Sequence, residues 1–181
     1  MNITVYLGSA SPKKEMYLER VRELGQWIAA SGDTLIYGGS RVGLMGDLAS
    51  AAVEAGGRVI GVEPQFLVDA CLQHEGITEL VVTADMHERK KKMAELGDAF
   101  IAFPGGTGTL EEISEVISHL RMGLHGKPCI LYSLGGFYEP LKEMFARMMQ
   151  EEFLPEEGVE GLYFAESLAE IRQIIAEYRK R

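Results

Sequence analysis

The stretch PGGTGTLEE, residues 104–112, combines two chemical features that oppose each other. Three glycines and two threonines lead into a helix start, and free backbone amides at such a place attract anions. Two carboxylates, Glu111 and Glu112, follow at once and repel anions. The rest of the chain therefore has to explain why negative charge lies beside a phosphate-binding loop.

Glu112 has two interpretations from its spacing. At about 100° per residue it lies at the border of the apolar stripe of its helix, where it can reach a group at the sheet edge, whereas Glu111 points away. Thr109 and Glu112 also have the spacing of a capping box, in which the glutamate accepts a hydrogen bond from the N-cap amide. Spacing alone favours capping, and SLAE at 167–170 repeats the pattern with no sign of function.

A second candidate group, Arg89, lies in the segment DMHERKKKM at 85–93. The helical wheel places it in the middle of an apolar cluster formed by Met86, Met93 and Leu96. An unpaired charge on a buried face is costly, so the guanidinium needs a partner or water. It either extends along the surface to solvent or points into a crevice toward a carboxylate or phosphate.

Short apolar runs alternate along the chain with longer helical patterns. Most runs are apolar throughout, as is typical of parallel strands covered on both faces. Strand–helix alternation predicts a single α/β domain over residues 1–181, with a doubly wound, Rossmann-like, mostly parallel sheet and helices on both faces. The predicted strands are 3–7, 34–37, 58–62, 79–82, 99–103, 129–132 and 162–164, and the predicted helices are 15–30, 46–55, 86–96, 109–121, 137–151 and 167–179.

Three small-residue loops follow the first, second and fifth predicted strands, namely 6–14, 37–46 and 103–109. In a doubly wound sheet, ligands bind beyond the carboxyl ends of the strands. The loops therefore predict one backbone-lined crevice for a phosphate-bearing ligand, although glycine in any one of them is equally explained by a tight turn. None is a GxGxxG fingerprint or a P-loop. Their candidate ligand contacts are Gly8, Ser9, Gly38, Gly39 and Gly43.

Composition narrows the range of partners. The net charge is −9 and the isoelectric point is about 5.0, which opposes non-specific binding to nucleic acid. The sequence shows neither a signal pattern nor an apolar run long enough to span a membrane, so we expect a cytoplasmic protein without a membrane partner. Cys71 and Cys129 are far apart and have no metal-type spacing, and we expect Cys129 to be a buried, inert thiol.

Two of these stretches resemble the Lonely guy (LOG) family of phosphoribohydrolases, formerly labelled lysine decarboxylases. The family signature PGGxGTxxE is matched by residues 104–112, and the upstream DMHxRK element is matched by residues 85–90. The glycine loop GGSRVGLMG and the opening GSASPKK also resemble the family's. The likeness extends over nearly the whole chain and is best from about residue 3 to residue 150.

The resemblance implies hydrolysis of the N-glycosidic bond of adenosine 5′-monophosphate or of its N6-substituted cytokinin forms. It implies Arg89 and Glu112 as the catalytic pair, a small nucleotide as the bound partner, a homodimer, and no cofactor or metal. One departure is that Cys71, with Asp69 close by, stands where some members carry a glutamate, which leaves one ligand contact in doubt. The implied ligand contacts are Met86, Lys90, Gly105, Gly106, Thr107, Gly108, Thr109 and Glu111.

The same architecture also serves non-catalytic proteins, since a relative of this fold carries the molybdenum cofactor. A carrier or sensor of nucleotides needs the glycine loops but has no need of the arginine and glutamate. Retention of both Arg89 and Glu112 therefore favours the enzyme.

Overall fold

A computed structural model describes residues 1–155 and 157–180 and contains one sheet of seven parallel strands. The strand order is β4-β3-β2-β1-β5-β6-β7. Every predicted strand forms, so the Rossmann-like α/β class is confirmed. The strands are β1 (Asn2–Tyr6), β2 (Thr34–Tyr37), β3 (Arg58–Pro64), β4 (Glu79–Thr83), β5 (Ala99–Ala102), β6 (Cys129–Tyr132) and β7 (Leu162–Ala165).

Six long helices match the predicted stretches, with ends that differ by up to three residues. A short helix at Gln65–Asp69 was not predicted, because five residues are too few to show a helical period. A 3-10 turn at Leu134–Gly136 also precedes the fifth long helix. The helices are α1 (Glu15–Ala30), α2 (Gly43–Glu54), α3 (Gln65–Asp69), α4 (Met86–Leu96), α5 (Thr107–Arg121), α6 (Glu139–Gln150) and α7 (Leu168–Tyr178).

The central strands are buried on both faces, which explains their unbroken apolar runs. One buried cluster joins them to Leu24 of α1, Leu48 of α2 and Ile171 of α7. A second cluster on the opposite face joins them to Met93 of α4 and Ile113 of α5. The sheet is therefore the middle layer of three, and its strand ends are held from both sides. Among the described residues, no helix combines the length and apolarity needed to cross a membrane.

The chain changes direction across the sheet between β1 and β5. Strands β1 to β4 run outward in one direction, and β5 then returns to pair with β1 on its other side. A doubly wound sheet opens a crevice at such a point, beyond the carboxyl ends of the strands. The loops after β1 and β5 meet there, since a Cβ on Gly8 would lie 3.3 Å from the Cα of Gly105.

Candidate active site

A cavity of about 450 Å³ opens at this switch point, beyond the carboxyl ends of β1, β2, β3 and β5. It brings together most of the ligand contacts predicted from the sequence: Gly8, Ser9, Gly38, Met86, Arg89, Lys90, Gly106, Thr107, Gly108, Thr109, Glu111 and Glu112. The residues that sequence reasoning missed are Leu7, Ser40, Val42, Met45, Glu63, Leu67 and Leu72.

Three predicted glycines do not line this cavity. Gly39 has φ +86°, and a Cβ there would lie 2.8 Å from the Cβ of Glu63. Gly43 has φ +59° and begins α2 against the backbone of Ser9. Gly105 packs between Gly8 and Thr109, where a side chain would collide with the threonine hydroxyl. In this structure the three glycines shape the loops from behind the cavity wall.

Arg89 and Glu112 form a buried ion pair across the cavity wall. Nη1 of Arg89 donates to Oε1 of Glu112 at 2.9 Å, and the two side chains are only 6% and 7% exposed. Nε of Arg89 donates to the carbonyl oxygen of Val62 at 3.0 Å, which ties the guanidinium to the end of β3. The interpretation that Arg89 extends to solvent is therefore wrong, since its charge is met inside the protein.

The capping-box interpretation of Glu112 is also wrong. Helix α5 begins at Thr107 with Gly106 as the N-cap residue, so Thr109 lies inside the first turn. Glu112 then falls in the second turn, where its side chain bonds Arg89. In the repeat of the pattern at 167–170, Ser167 does act as the N-cap residue and accepts from the amide of Glu170. The same spacing therefore has a capping role at one helix and an ion-pairing role at the other.

A guanidinium fits here because Gly38 has no side chain. A Cβ on Gly38 would collide with Nη2 of Arg89 and lie 3.1 Å from the sulfur of Met45. Arg89 itself is positioned by a well-capped helix start, since Asp85 accepts a hydrogen bond from the amide of Glu88 at 2.8 Å. Within the described chain Nη2 makes no hydrogen bond, so this donor is available to a ligand.

The first turn of α5 offers an anion site. The first amide bonded within this helix is that of Leu110, which donates to the carbonyl of Gly106 at 3.1 Å. The preceding amides of Thr107, Gly108 and Thr109 therefore have no acceptor in the helix. The hydroxyl of Thr109 is buried and without a partner in the described part of the chain. Together these donors suit the oxygens of a phosphate.

Lys90 lies at the rim of the cavity, between two carboxylates. Its ammonium group is 2.7 Å from Glu111 and 3.0 Å from Glu115. Hydrogen bonds to Glu111 and then to Glu115 raise the pKa of Lys90. Lys90 therefore stays protonated and fixes Glu111 at the cavity mouth.

The pair also sets the charge state of Glu112. Burial raises the pKa of Glu112, and the charge and hydrogen bond of Arg89 oppose that rise. An arginine side chain stays protonated at every physiological pH, so it holds Glu112 as its counter-ion. The site thus contains one ionised carboxylate, shielded from water, beside an anion-binding helix start.

Glu63 is a further carboxyl group in the wall. It is the last residue but one of β3, is fully buried, and has no partner for either side-chain oxygen in the described chain. The sequence signal that could have found it is a charged residue directly after the apolar run RVIGV at 58–62. Cys71 is exposed and, like Asp69, lies away from the cavity lining. The carboxylate sought near Cys71 is therefore not supplied by that segment.

Comparisons with known proteins identify relatives of this chain under two descriptions. A family model described as "Possible lysine decarboxylase" matches residues 45–175. The cytokinin riboside 5′-monophosphate phosphoribohydrolase of Rhodococcoides fascians is 46% identical over 154 residues, which cover 84% of this chain and 78% of that protein. The corresponding LOG protein of Oryza sativa subsp. japonica is 42% identical over 177 residues, which cover 97% and 73%.

Solved structures share the fold at lower identity. The molybdenum cofactor binding protein of Rippkaea orientalis superposes with a TM-score of 0.73 at 24% identity, covering 98% of this chain and 96% of that one. At that identity the likeness establishes the shared architecture alone.

Proposed function

The chain belongs to the Lonely guy (LOG) family, and from this membership and the geometry of the cavity we propose that it is a nucleoside 5′-monophosphate phosphoribohydrolase. It cleaves the N-glycosidic bond of adenosine 5′-monophosphate or of N6-substituted, cytokinin-type forms, and releases the free base and ribose 5-phosphate. The observation that carries the proposal is the buried Arg89–Glu112 pair beside the free amides at the start of α5.

The phosphate binds at the first turn of α5. The amides of Thr107, Gly108 and Thr109 donate to its oxygens, and the helix dipole contributes about 0.3–1 kcal/mol. Gly8 and Ser9 close the site from the loop after β1. Because Glu112 lies on the same helix, one turn further along, anchoring the phosphate brings the sugar toward its carboxylate. Binding energy from the phosphate is thereby used to position C1′.

The carboxylate of Glu112 acts on the sugar. As the C1′–N bond breaks, its electron pair leaves with the base and positive charge develops on the ring oxygen and C1′, as in other glycoside cleavages. In the net reaction, one water molecule supplies a hydroxyl group to C1′ and a proton to the departing base. The ionised carboxylate stabilises this charge and accepts a proton from the water that attacks C1′. The negative charge beside the phosphate-binding loop thus stabilises the positive charge that develops on the sugar, which is the group next to the phosphate in the substrate.

Arg89 keeps the two anions compatible. Its Nη1 neutralises Glu112, and Nη2 is free to donate to the ligand. A guanidinium between a carboxylate and a phosphate ester forms charge-assisted hydrogen bonds to both. Arg89 therefore lowers the cost of placing the substrate's phosphate near a second negative charge.

Decarboxylation of lysine, which the family model's description names, has less support in the cavity. A lysine that forms a Schiff base must first lose its proton. Lys90, the lysine that lines this cavity, is held protonated by Glu111 and Glu115. Hydrolysis through Glu112 requires no such deprotonation.

We expect release of free adenine-type base from the 5′-monophosphate, with a much smaller kcat/KM on the nucleoside. The reason is that the loops offer several amide donors to a phosphate and few groups to a bare ribose. Chromatography of adenosine 5′-monophosphate, its N6-isopentenyl analogue and adenosine after incubation measures both effects. Intact nucleotide across several N6 substituents would favour a carrier instead, whereas equal kcat/KM on adenosine would contradict phosphate anchoring.

We further propose that the protein is a homodimer, as the family resemblance implies. Helix α6 has no fully buried residue: Leu141 and Phe145 pack only partly buried against the core, and Met144 is 51% exposed. Contiguous exposed apolar patches commonly mark contacts between proteins, and Phe153, which follows this helix, is 74% exposed. Light scattering after size-exclusion chromatography should give twice the mass of the 20.0 kDa chain, and a mass of one chain would contradict the dimer.

A further inference from the structure

Glu63 is a buried acid to which the mechanism above gives no role. It is fully shielded from water, lies in the cavity wall and has no hydrogen-bond partner for either side-chain oxygen among residues 1–155 and 157–180. Buried polar groups are almost always paired, because an unpaired one destabilises the folded protein. An unpaired acid in a ligand cavity therefore points to a partner that the ligand supplies.

Arg89 does not fill this need, although it is the cation nearest in the wall. Its Nε donates to Val62 and its Nη1 to Glu112, so its charge is matched to the other carboxylate. The titratable groups near Glu63 are Arg89 from α4 and Tyr37 from β2. The hydroxyl of Tyr37 donates to the carbonyl of Gly39 at 3.0 Å. Neither Arg89 nor Tyr37 forms a hydrogen bond to Glu63.

The burial of Glu63 and the balance of charges in this wall favour its protonated form. One guanidinium balances one carboxylate, and a second buried charge would have no counter-ion. Burial raises the pKa of Glu63, and the positive charge of Arg89 lowers it by a smaller amount. A neutral carboxyl group presents one O–H donor beside one carbonyl acceptor. Its complement is a ligand edge with an acceptor next to an N–H.

The strand order indicates that the base of the nucleotide supplies this acceptor and N–H. β5, after which the phosphate binds, and β3, whose last residue but one is Glu63, are separated in the sheet by β1 and β2. A nucleotide anchored by its phosphate at α5 extends along this edge toward β3, with its sugar at Arg89, which is bonded to both Val62 of β3 and Glu112 of α5. The wall on the β3 side is also the apolar side, with Met45, Leu67 and Leu72. Such a wall suits a flat base.

We infer that Glu63 is a specificity-determining residue that recognises the N7 edge of a 6-aminopurine: its O–H donates to N7 and its carbonyl oxygen accepts from the N6–H. The inference rests on the proposed function for the orientation of the nucleotide. The N7 edge is chosen because Glu63 adjoins Val62, which is bonded to Arg89, and N7 is closer than N1 to the sugar. An N6-substituted adenine retains one N–H for this contact. A 6-oxopurine presents two acceptors on that edge, and one of them would face the carbonyl oxygen.

The test measures binding of carbocyclic nucleoside monophosphates by calorimetry. A methylene replaces the ring oxygen in these compounds, so they resist hydrolysis and binding is separated from turnover. Three bases are compared: adenine, 7-deazaadenine, which lacks the N7 acceptor, and hypoxanthine, which lacks the N6–H. We expect the wild-type protein to bind the adenine compound about tenfold more tightly than either other compound, as one lost hydrogen bond implies.

Two variants test whether Glu63 causes this preference. In Glu63→Leu the preference should fall to within about twofold, because leucine offers neither donor nor acceptor. In Glu63→Gln it should persist, because the amide keeps one donor and one acceptor. Leucine removes an unpaired buried polar group, so we expect this variant to melt cooperatively at or above the wild-type temperature.

The inference is overturned if the wild-type protein shows no preference among the three bases, or if the preference survives in Glu63→Leu. A preference for adenine over hypoxanthine with no loss for 7-deazaadenine would also overturn it, since N7 would then make no contact. The comparison within the wild-type protein needs no variant to fold. Hydrolysis of adenosine 5′-monophosphate is assayed separately, so loss of the proposed activity and loss of this recognition are distinguishable.

Discussion

Replacing Glu112 by glutamine should lower kcat by about 10²–10⁴-fold while the protein still folds and binds nucleotide. Glutamine has no negative charge to place opposite the developing sugar cation and is a poor proton acceptor. Its carbonyl oxygen still accepts a hydrogen bond from Arg89, which donates to Glu112 at 2.9 Å. The loss of one carboxylate also relieves repulsion of the phosphate, so nucleotide affinity should hold or rise. Base release at saturating substrate, and melting with and without nucleotide, measure these effects.

Glu115→Gln is the matched control for this substitution. It makes the same change one turn further along α5. The carboxylate of Glu115 lies 3.0 Å from the ammonium group of Lys90, at the rim of the cavity. We expect this variant to keep most of the wild-type rate, because Glu111 still pairs with Lys90. A Glu112→Gln protein that melts normally and turns over near the wild-type rate would remove Glu112 from the mechanism.

The pH dependence of the wild-type rate provides a second arm. Burial raises the pKa of Glu112 above its usual range, so the carboxylate is lost at a higher pH than for an exposed glutamate. The rate should therefore fall as the pH decreases through that raised pKa, and recover as it increases. Glu112→Gln has no proton to gain at this position, so its residual rate should lack this acid limb.

The sequence predicted where the site lies better than it predicted which side chains pair within it. Glycine loops after the first, second and fifth strands do meet at one crevice, because parallel strands bring their carboxyl ends to one edge. The wheel also placed Arg89 on a buried face. Its partner was not predictable from the pattern of α4, since Glu112 is 23 residues away on another helix. Contacts of this kind depend on how α4 and α5 pack on the sheet.

Small errors at element ends account for the remaining misses. A predicted helix start at residue 109 made Thr109 an N-cap residue and Glu112 its partner, whereas a start at Thr107 turns both toward the cavity. A predicted end of β3 at residue 62 placed Glu63 in a loop, where a carboxylate is expected to be solvated. The strand in fact continues to Pro64 and pairs with β4, so Glu63 is enclosed. The two buried carboxyl groups of the cavity, Glu63 and Glu112, were thus the residues most sensitive to a shift of two positions.

Replacing Arg89 by methionine should abolish turnover and lower the free energy of unfolding by about 3–5 kcal/mol. The substitution leaves Glu112 buried at 7% exposure without its counter-ion, and removes the guanidinium that bonds the end of β3. Arg58→Met is the matched control, because Arg58 and Glu79 are also 2.9 Å apart but are 55% and 48% exposed. An exposed pair contributes about 0–1 kcal/mol, so this control should unfold nearly as the wild type does. Urea unfolding compares the two variants.

The double variant Arg89→Met with Glu112→Met separates the cost of an orphaned charge from the loss of packing. Two apolar side chains in place of the pair should recover most of the lost stability, with no recovery of turnover.

The stability of the single variant Arg89→Met should also depend on pH. Without Arg89, the largest influence that lowers the pKa of Glu112 is gone, so the folded state keeps this proton to a higher pH than the unfolded chain does. Its stability should therefore be nearest to that of the wild type in mild acid and should fall as the pH rises through the raised pKa. Equal destabilisation at all pH values, with no recovery in the double variant, would show that Arg89 stabilises the protein through packing and its bond to Val62, and that its charge pairing with Glu112 contributes little.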